Sequence, residues 1–382
     1  MDEIIIGTYE GFLLGYTMWP DDEVMKLKQT FATQSHTASI RCVTIAGKYL
    51  ASGGTDDKVV VIDMKTRKEH TVLMNHDGTI NTVAFTHGGT HLLTGSDDGS
   101  IIVTRTGNWQ IEKIWKKTHG GQPVTAVAVH PSDKLALSIG PDKTLRTWNL
   151  IKGRPAFTIN LASKGVVMPT EIKFSPNGKR FSLIHQQTVD IWTLSMAGLE
   201  KRITCGSKPT TVMWYSDDRI FVGLDSGKII TVTVSDTQAL TYKAHNDRVK
   251  CLYYENNTLY SASSSGQIKV WSFDNEELKE ICSNNASCRI TCIALNKQSH
   301  LVKKEEEDGK DNEKHTQGSD NDSDNSEEVD QAPQTNKRKI GAFVTISYDE
   351  EDTKEQDNDL PSPSKRSKKR KRNKKSKNKI NQ

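Results

Sequence analysis

The sequence predicts an all-β chain: a seven-bladed β-propeller followed by a disordered, charged C-terminal tail. Three observations carry this reading. A unit of short apolar runs recurs along the first 300 residues, its turn anchors Asp56, Asp98, Asp142, Gln186, Ser226 and Ser265 spaced by 42, 44, 44, 40 and 39 residues. Within each unit the apolar residues alternate, as in strands, rather than recurring every three to four positions as in helices. An orphan strand, RITCIAL (Arg289–Leu295), follows the last unit, and the first unit lacks a strand ahead of it.

The opening stretch, IIIGTYEGFLLGYT, is two apolar runs around a turn at Glu10, 46 residues before Asp56. Four of the units after it start with a His ahead of an apolar run: SHTASIRCV, NHDGTINTVAF, THGGQPVTAVAV and AHNDRVKCLYY carry His36, His76, His119 and His245. In each, a second run, a polar turn and a third run follow, as in YLASGGTDDKVVVID and LLTGSDDGSIIVT. Thr82–Phe85, Leu92–Gly95 and Ile101–Thr104 read as short strands between Gly, Asp, Asn and Ser turns. Four short strands every 40–45 residues is the period of a propeller blade. Seven anchors need seven blades, and the arithmetic closes if Arg289–Leu295 supplies the strand missing from the N-terminal blade, which also removes two exposed sheet edges. The expected propeller spans residues 1–296.

Beyond it the composition changes. Residues 301–360 hold 8 Lys/Arg and 19 Asp/Glu, whereas residues 361–382 hold 11 Lys/Arg and no acid. The expected acidic disordered segment, residues 297–360, has too little apolar surface to offset its chain entropy, apart from an island, IGAFVTISY, at residues 340–348. The basic tail, residues 361–382, contains Lys365, Arg366, Lys368, Lys369, Arg370, Lys371, Arg372, Lys374 and Lys375. Such a block suits nuclear import and non-specific attraction of rRNA phosphates. No aromatic residue is interleaved with it, so base stacking is not expected.

A Ser or Thr, a His and an Asp recur together: His36, Ser52 and Asp56; His76, Thr94 and Asp98; His119, Ser138 and Asp142. A catalytic triad is needed once, with an oxyanion hole. A set repeated blade after blade reads instead as a buried hydrogen-bond network, with the Asp accepting from the His ring and Trp148 donating as the outer member of the third set. The sixth unit keeps His245, Ser261 and Trp271, with Ser265 in place of the Asp. Units four and five carry Gln186 and Ser226 there and no preceding His, which predicts weaker blades.

No catalytic, cofactor-binding or metal-binding residue is expected. Cys282, Cys288 and Cys292 lack zinc-type spacing, and Asp320, Asp322 and Asp324 start a calcium loop that Asn325 and Gln331 do not complete. Neither a Walker-type nor a dinucleotide glycine motif is present. No apolar run approaches the length of a membrane span, and the six scattered cysteines with no basic leader point to reduced thiols in the nucleus or cytosol.

Leu135–Phe157, LALSIGPDKTLRTWNLIKGRPAF, together with GTYEGFLLGY, HTASI, AHNDRVK and RITCIAL, resembles the p21-activated kinase-interacting protein family within the WD40 superfamily. The likeness runs in order over residues 4–295. It implies a non-enzymatic WD40 scaffold of the nucleus and nucleolus that acts in assembly of the large (60S) ribosomal subunit. It also implies negative regulation of p21-activated kinase. The partners so implied are pre-60S ribosomal proteins and assembly factors and the kinase itself, met by a monomer with no membrane attachment. The alternative is primarily an inhibitor of p21-activated kinase, cytosolic or nuclear, with no direct ribosome role.

Overall fold

Seven four-stranded antiparallel sheets, connected in sequence, make up the computed structural model, which describes residues 2–297 except 23, 196, 197, 237 and 238. The first complete blade consists of β4 (Ile40–Ala46), β5 (Tyr49–Gly54), β6 (Val59–Asp63) and β7 (Lys68–Leu73). Blade two follows as β8 (Ile80–Phe85), β9 (His91–Ser96), β10 (Ile101–Arg105) and β11 (Gln110–Trp115). Blade three is β12 (Ala126–Val129), β13 (Leu135–Ile139), β14 (Thr144–Asn149) and β15 (Arg154–Asn160). Blade four is β16 (Pro169–Phe174), β17 (Arg180–His185), β18 (Thr188–Thr193) and β19 (Gly198–Thr204). Blade five is β20 (Pro209–Ser216), β21 (Arg219–Leu224), β22 (Lys228–Thr233) and β23 (Ala239–Lys243). Blade six is β24 (Val249–Glu255), β25 (Thr258–Ser263), β26 (Gln267–Asp274) and β27 (Glu277–Asn285).

The seventh sheet joins the two ends of the propeller, in the order β28 (Ile290–Asn296), β1 (Glu3–Thr8), β2 (Phe12–Asp21), β3 (Val24–Gln34). β28 pairs antiparallel with β1, Ile4 opposite Leu295 and Ile6 opposite Ile293. A buried carboxylate clamps the seam: Glu3 accepts from Arg67 at 2.7 Å, from Asn296 at 3.1 Å and from the Thr30 hydroxyl. Arg67 lies on the next blade, so the clamp also ties the closing blade to its neighbour.

The apolar core is divided among the blade interfaces. Seven clusters of buried side chains each draw on two adjacent sheets; one joins Ile5, Leu13 and Cys292 of the closing blade to Ile40, Leu50 and Val60 of blade one. This accounts for the pattern along each strand. The second and third strands of a blade are covered on both faces, so Val59–Ile62 and Ile4–Ile6 are continuous apolar runs rather than alternating ones. The outermost strand is open to solvent, and β15 is exposed or half-exposed throughout.

Glycine is required where the turn between the second and third strands meets the loop leading into the next blade. Gly11 (φ +86°) and Gly227 (φ +79°) accept backbone hydrogen bonds from His36 and His245, and a Cβ there would lie 2.4 and 2.2 Å from the carbonyl oxygens of those histidines.

Candidate functional site

Three of the repeated sets close as networks. In blade three, Trp148 Nε1 donates to Ser138 Oγ at 2.9 Å, Ser138 Oγ lies 2.9 Å from His119 Nε2, and His119 Nδ1 lies 2.9 Å from Asp142 Oδ1. His119 is fully buried and its pKa is lowered, first by burial and against the pull of Asp142. A neutral ring that donates from Nδ1 to the carboxylate and accepts at Nε2 satisfies every partner. The same geometry joins His36 to Asp56 (2.8 Å) and Ser52 (2.9 Å). It joins His76 to Asp98 and Thr94, both at 2.8 Å. The Asp56 and Asp98 carboxylates also accept from the backbone N–H groups of Thr37 and Asp77, so these two networks lock the loops that enter their blades. Burial raises the Asp56 and Asp98 carboxyls, but hydrogen bonds and the His rings outweigh it and both end below the usual carboxylate range.

Blade six departs from expectation at one position. His245 Nε2 lies 2.8 Å from Ser261 Oγ and Trp271 Nε1 donates to the same oxygen at 2.9 Å, but the ring's other nitrogen bonds Gln267 Oε1 at 2.9 Å. Ser265 does not replace the Asp; its hydroxyl bonds Ser263. A Ser side chain is too short to reach the ring from the turn, whereas the amide of Gln267, two residues on, spans the gap.

Blade four holds a network that the repeat pattern missed. Asp190 is fully buried on β18 and receives both Nε and Nη2 of Arg202 at 2.7 Å, directly across the strand pair, while His185 Nε2 lies 3.1 Å from its other side. Burial alone would raise the Asp190 carboxyl; Arg202 and His185 reverse that and hold it low. Gln186, in the turn, has no part in this. The only sequence signal was a single Asp within the apolar strand TVDIW. Ser182, which matches Ser138 in position, accepts from Trp214 of blade five at 3.1 Å, so Trp192 Nε1 is left buried without a partner. The order of blade four is thus kept by different chemistry, and β17 and β18 pair without interruption from Arg180–Thr193 to His185–Thr188.

The first strands of the seven blades surround an axial cavity of about 1300 Å³, lined by side chains of Arg41, Lys173, Thr211, Lys250 and Thr291 among others. Trp115 is buried, stacked 4.5 Å from Trp148 with its Nε1 donating to Gly153. Trp19, on the long β2–β3 hairpin, is half exposed. The basic block Lys365–Lys375, the island at 340–348 and the segments 298–360 and 361–382 lie outside the described residues.

The model of the WD domain, G-beta repeat, matches residues 25–63, 67–104, 112–149 and 236–272. These segments contain or adjoin the four His-centred networks; residues 150–235, which hold blade four and the first three strands of blade five, go unmatched. A p21-activated protein kinase-interacting protein 1-like chain of Xenopus laevis is 34% identical over 301 residues, covering 76% of this chain and 81% of that one. The chain belongs to the p21-activated kinase-interacting protein 1-like family. The Homo sapiens p21-activated protein kinase-interacting protein 1 is 32% identical, covering 77% of this chain and 76% of its own. Shk1 kinase-binding protein 15 of Schizosaccharomyces pombe is 29% identical, covering 81% and 88%. The names of these relatives describe proteins that bind kinases.

Proposed function

We propose that this chain is a non-enzymatic scaffold that acts in nucleolar assembly of the large ribosomal subunit and restrains p21-activated kinase. The observation that carries the reading is family membership, at 34% identity over about three quarters of the chain. Support comes also from repetition: chemistry needs one set with a cleft, and here a His–Ser/Thr pair recurs at four blade entrances, completed by Asp in three and by Gln267 in the fourth. A ring whose inner polar groups are spent on its own loops offers rigid surface for docking. The kinase side rests on what the relatives are named for binding. The ribosomal side rests on the resemblance of residues 4–295 to a nucleolar family and on the basic residues 361–382, which would concentrate the chain near rRNA without choosing a partner.

Depleting the protein and profiling subunits on a sucrose gradient tests the proposal. A fall in free 60S subunits with accumulated precursors is expected. Normal 60S levels with raised kinase activity would overturn the assembly reading in favour of a dedicated kinase inhibitor.

A further inference from the structure

The axial cavity carries an uneven charge. Six cations line it: Arg41, Lys173, Arg248, Lys250, Arg289 and Lys297. Lys173 pairs with Glu171 at 3.0 Å and Lys297 with Glu255 at 2.7 Å, and both acids belong to the same lining. Among the described residues the other four form no ion pair. The remaining acid of the lining, Asp97, stands at the same mouth on blade two, next to the blade of Arg41, where it accepts from the Asn81 amide and forms no ion pair with the arc.

Those four lie together. Arg248 and Lys250, Arg289, and Arg41 stand at the starts of β24, β28 and β4, three consecutive first strands of the ring. The carbonyls of Arg248 and Arg289 accept from Ser264 and Tyr9 of the adjacent turns, as Ser39 accepts from Thr55. This places all four at the mouth beside the His–Asp networks. The three arginines are exposed and Lys250 is half-buried. Arg289 also lies over the Tyr9 ring, 5.0 Å from its centroid. Glu10 accepts from the Arg289 backbone N–H at 3.4 Å, and neither it nor Asp247 forms an ion pair with the four cations. Like charges gathered in a concave, low-dielectric wall repel one another and focus the field outward.

We propose that this mouth is a docking site for an acidic polypeptide segment of a partner. Four cations spread over three blades match a short run of Asp and Glu side chains. Across the mouth, Thr125 and Thr170 offer hydrogen bonds that suit a peptide backbone. Single-stranded RNA is the poorer fit: it needs a row of aromatic faces, and Tyr9, already under Arg289, is the aromatic at this rim. The chain's own acidic residues 301–360 are the poorer fit too. They follow Lys297, which lies at the opposite mouth, and their net −11 is matched by the +11 of residues 361–382. The inference stands apart from the proposed function, since an acidic segment could belong to a particle protein or to a kinase.

The test uses the full chain and a twelve-residue Glu/Asp peptide bearing a photo-crosslinker, with crosslinks mapped by mass spectrometry. Crosslinks are expected within residues 39–43, 248–252 and 289–292. They should fall at least tenfold in Arg41→Gln/Arg248→Gln/Arg289→Gln with an unchanged melting temperature. The double variant Arg41→Gln/Arg248→Gln spares the Arg289–Tyr9 contact and should show an intermediate loss, which keeps the test open if the triple variant folds poorly. Crosslinks confined to residues 361–382, or unaffected by either variant, would overturn the proposal. So would displacement by single-stranded RNA at lower concentration than by unlabelled peptide, which would mark a nucleic-acid site. A tenfold rise on neutralising the acids of residues 301–360 would make the occupant the chain's own segment and also overturn it.

Discussion

Asp190 is the side chain with the most at stake in blade four. It is a fully buried carboxylate held by a bidentate arginine and a histidine. Asp190→Ala leaves Arg202 and His185 facing an empty site and should cost about 3–5 kcal/mol. Gln186→Ala, four residues away in the turn, should cost under about 0.5 kcal/mol, as surface substitutions usually do. Urea titration of the two variants checks this, and equal midpoints would assign the order of the blade elsewhere. The histidines set the response to acid. Burial lowers the pKa of both His119 and His245, opposed by Asp142 in one case and Gln267 in the other. An imidazole in the unfolded chain binds a proton near pH 6.5, before the folded one does. The stabilisation is therefore complete above about pH 6.5 and is lost as pH falls through the lower folded values. The melting temperature should drop between pH 7.5 and 5.5, and His119→Gln/His245→Gln should flatten that slope even if it lowers stability at pH 7.5.

At the scale of elements, β28 is the strand that turns a row of sheets into a ring. It pairs with β1 along its length and supplies Ile290 and Leu295 to one blade interface and Cys292 to the next. A chain ending at residue 285 should expose the edges of β1 and of the β27 side of the gap, and should aggregate or melt far lower. A chain ending at residue 300 should melt like the full one; equal melting of the two truncations would rule out closure by β28. Turn geometry gives a second prediction. Gly227→Ala adds a Cβ at positive φ within 2.2 Å of the His245 carbonyl oxygen, so that turn or loop must move. A loss of about 1–3 kcal/mol is expected, whereas Gly47→Ala, whose Cβ would meet nothing within 4 Å, carries only the backbone part of that cost.

At the scale of the molecule, each of the seven cores belongs to two blades, so a defect at one interface is felt by both neighbours. Phe221, buried between blades five and six, contacts Tyr215, Tyr254 and Phe273 at ring-centroid separations of 4.4 to 5.6 Å. Phe221→Ala should cost about 3–5 kcal/mol. Because the ring is closed, calorimetry should show one transition moved down as a whole. A separate low-temperature transition for blades five and six, with the rest unchanged, would show that the blades unfold independently.

The blade count, the strand order within a blade and the closing role of Arg289–Leu295 were legible in the sequence, because a repeat every 40 or so residues exposes its own register through turn residues and apolar runs. The His–Ser–Asp sets were legible for the same reason: chemistry repeated at one spacing stands out. What repetition could not reach was the exceptions. Asp190 and Arg202 meet across a strand pair, and Gln267 reaches His245 from two residues past the expected anchor; both pairings depend on register and side-chain length, which spacing does not encode. The gathering of Arg41, Arg248, Lys250 and Arg289 at one mouth was also settled only by the closed ring. It brings residues more than 200 positions apart in the chain to neighbouring strands, and no local pattern in the sequence records that proximity.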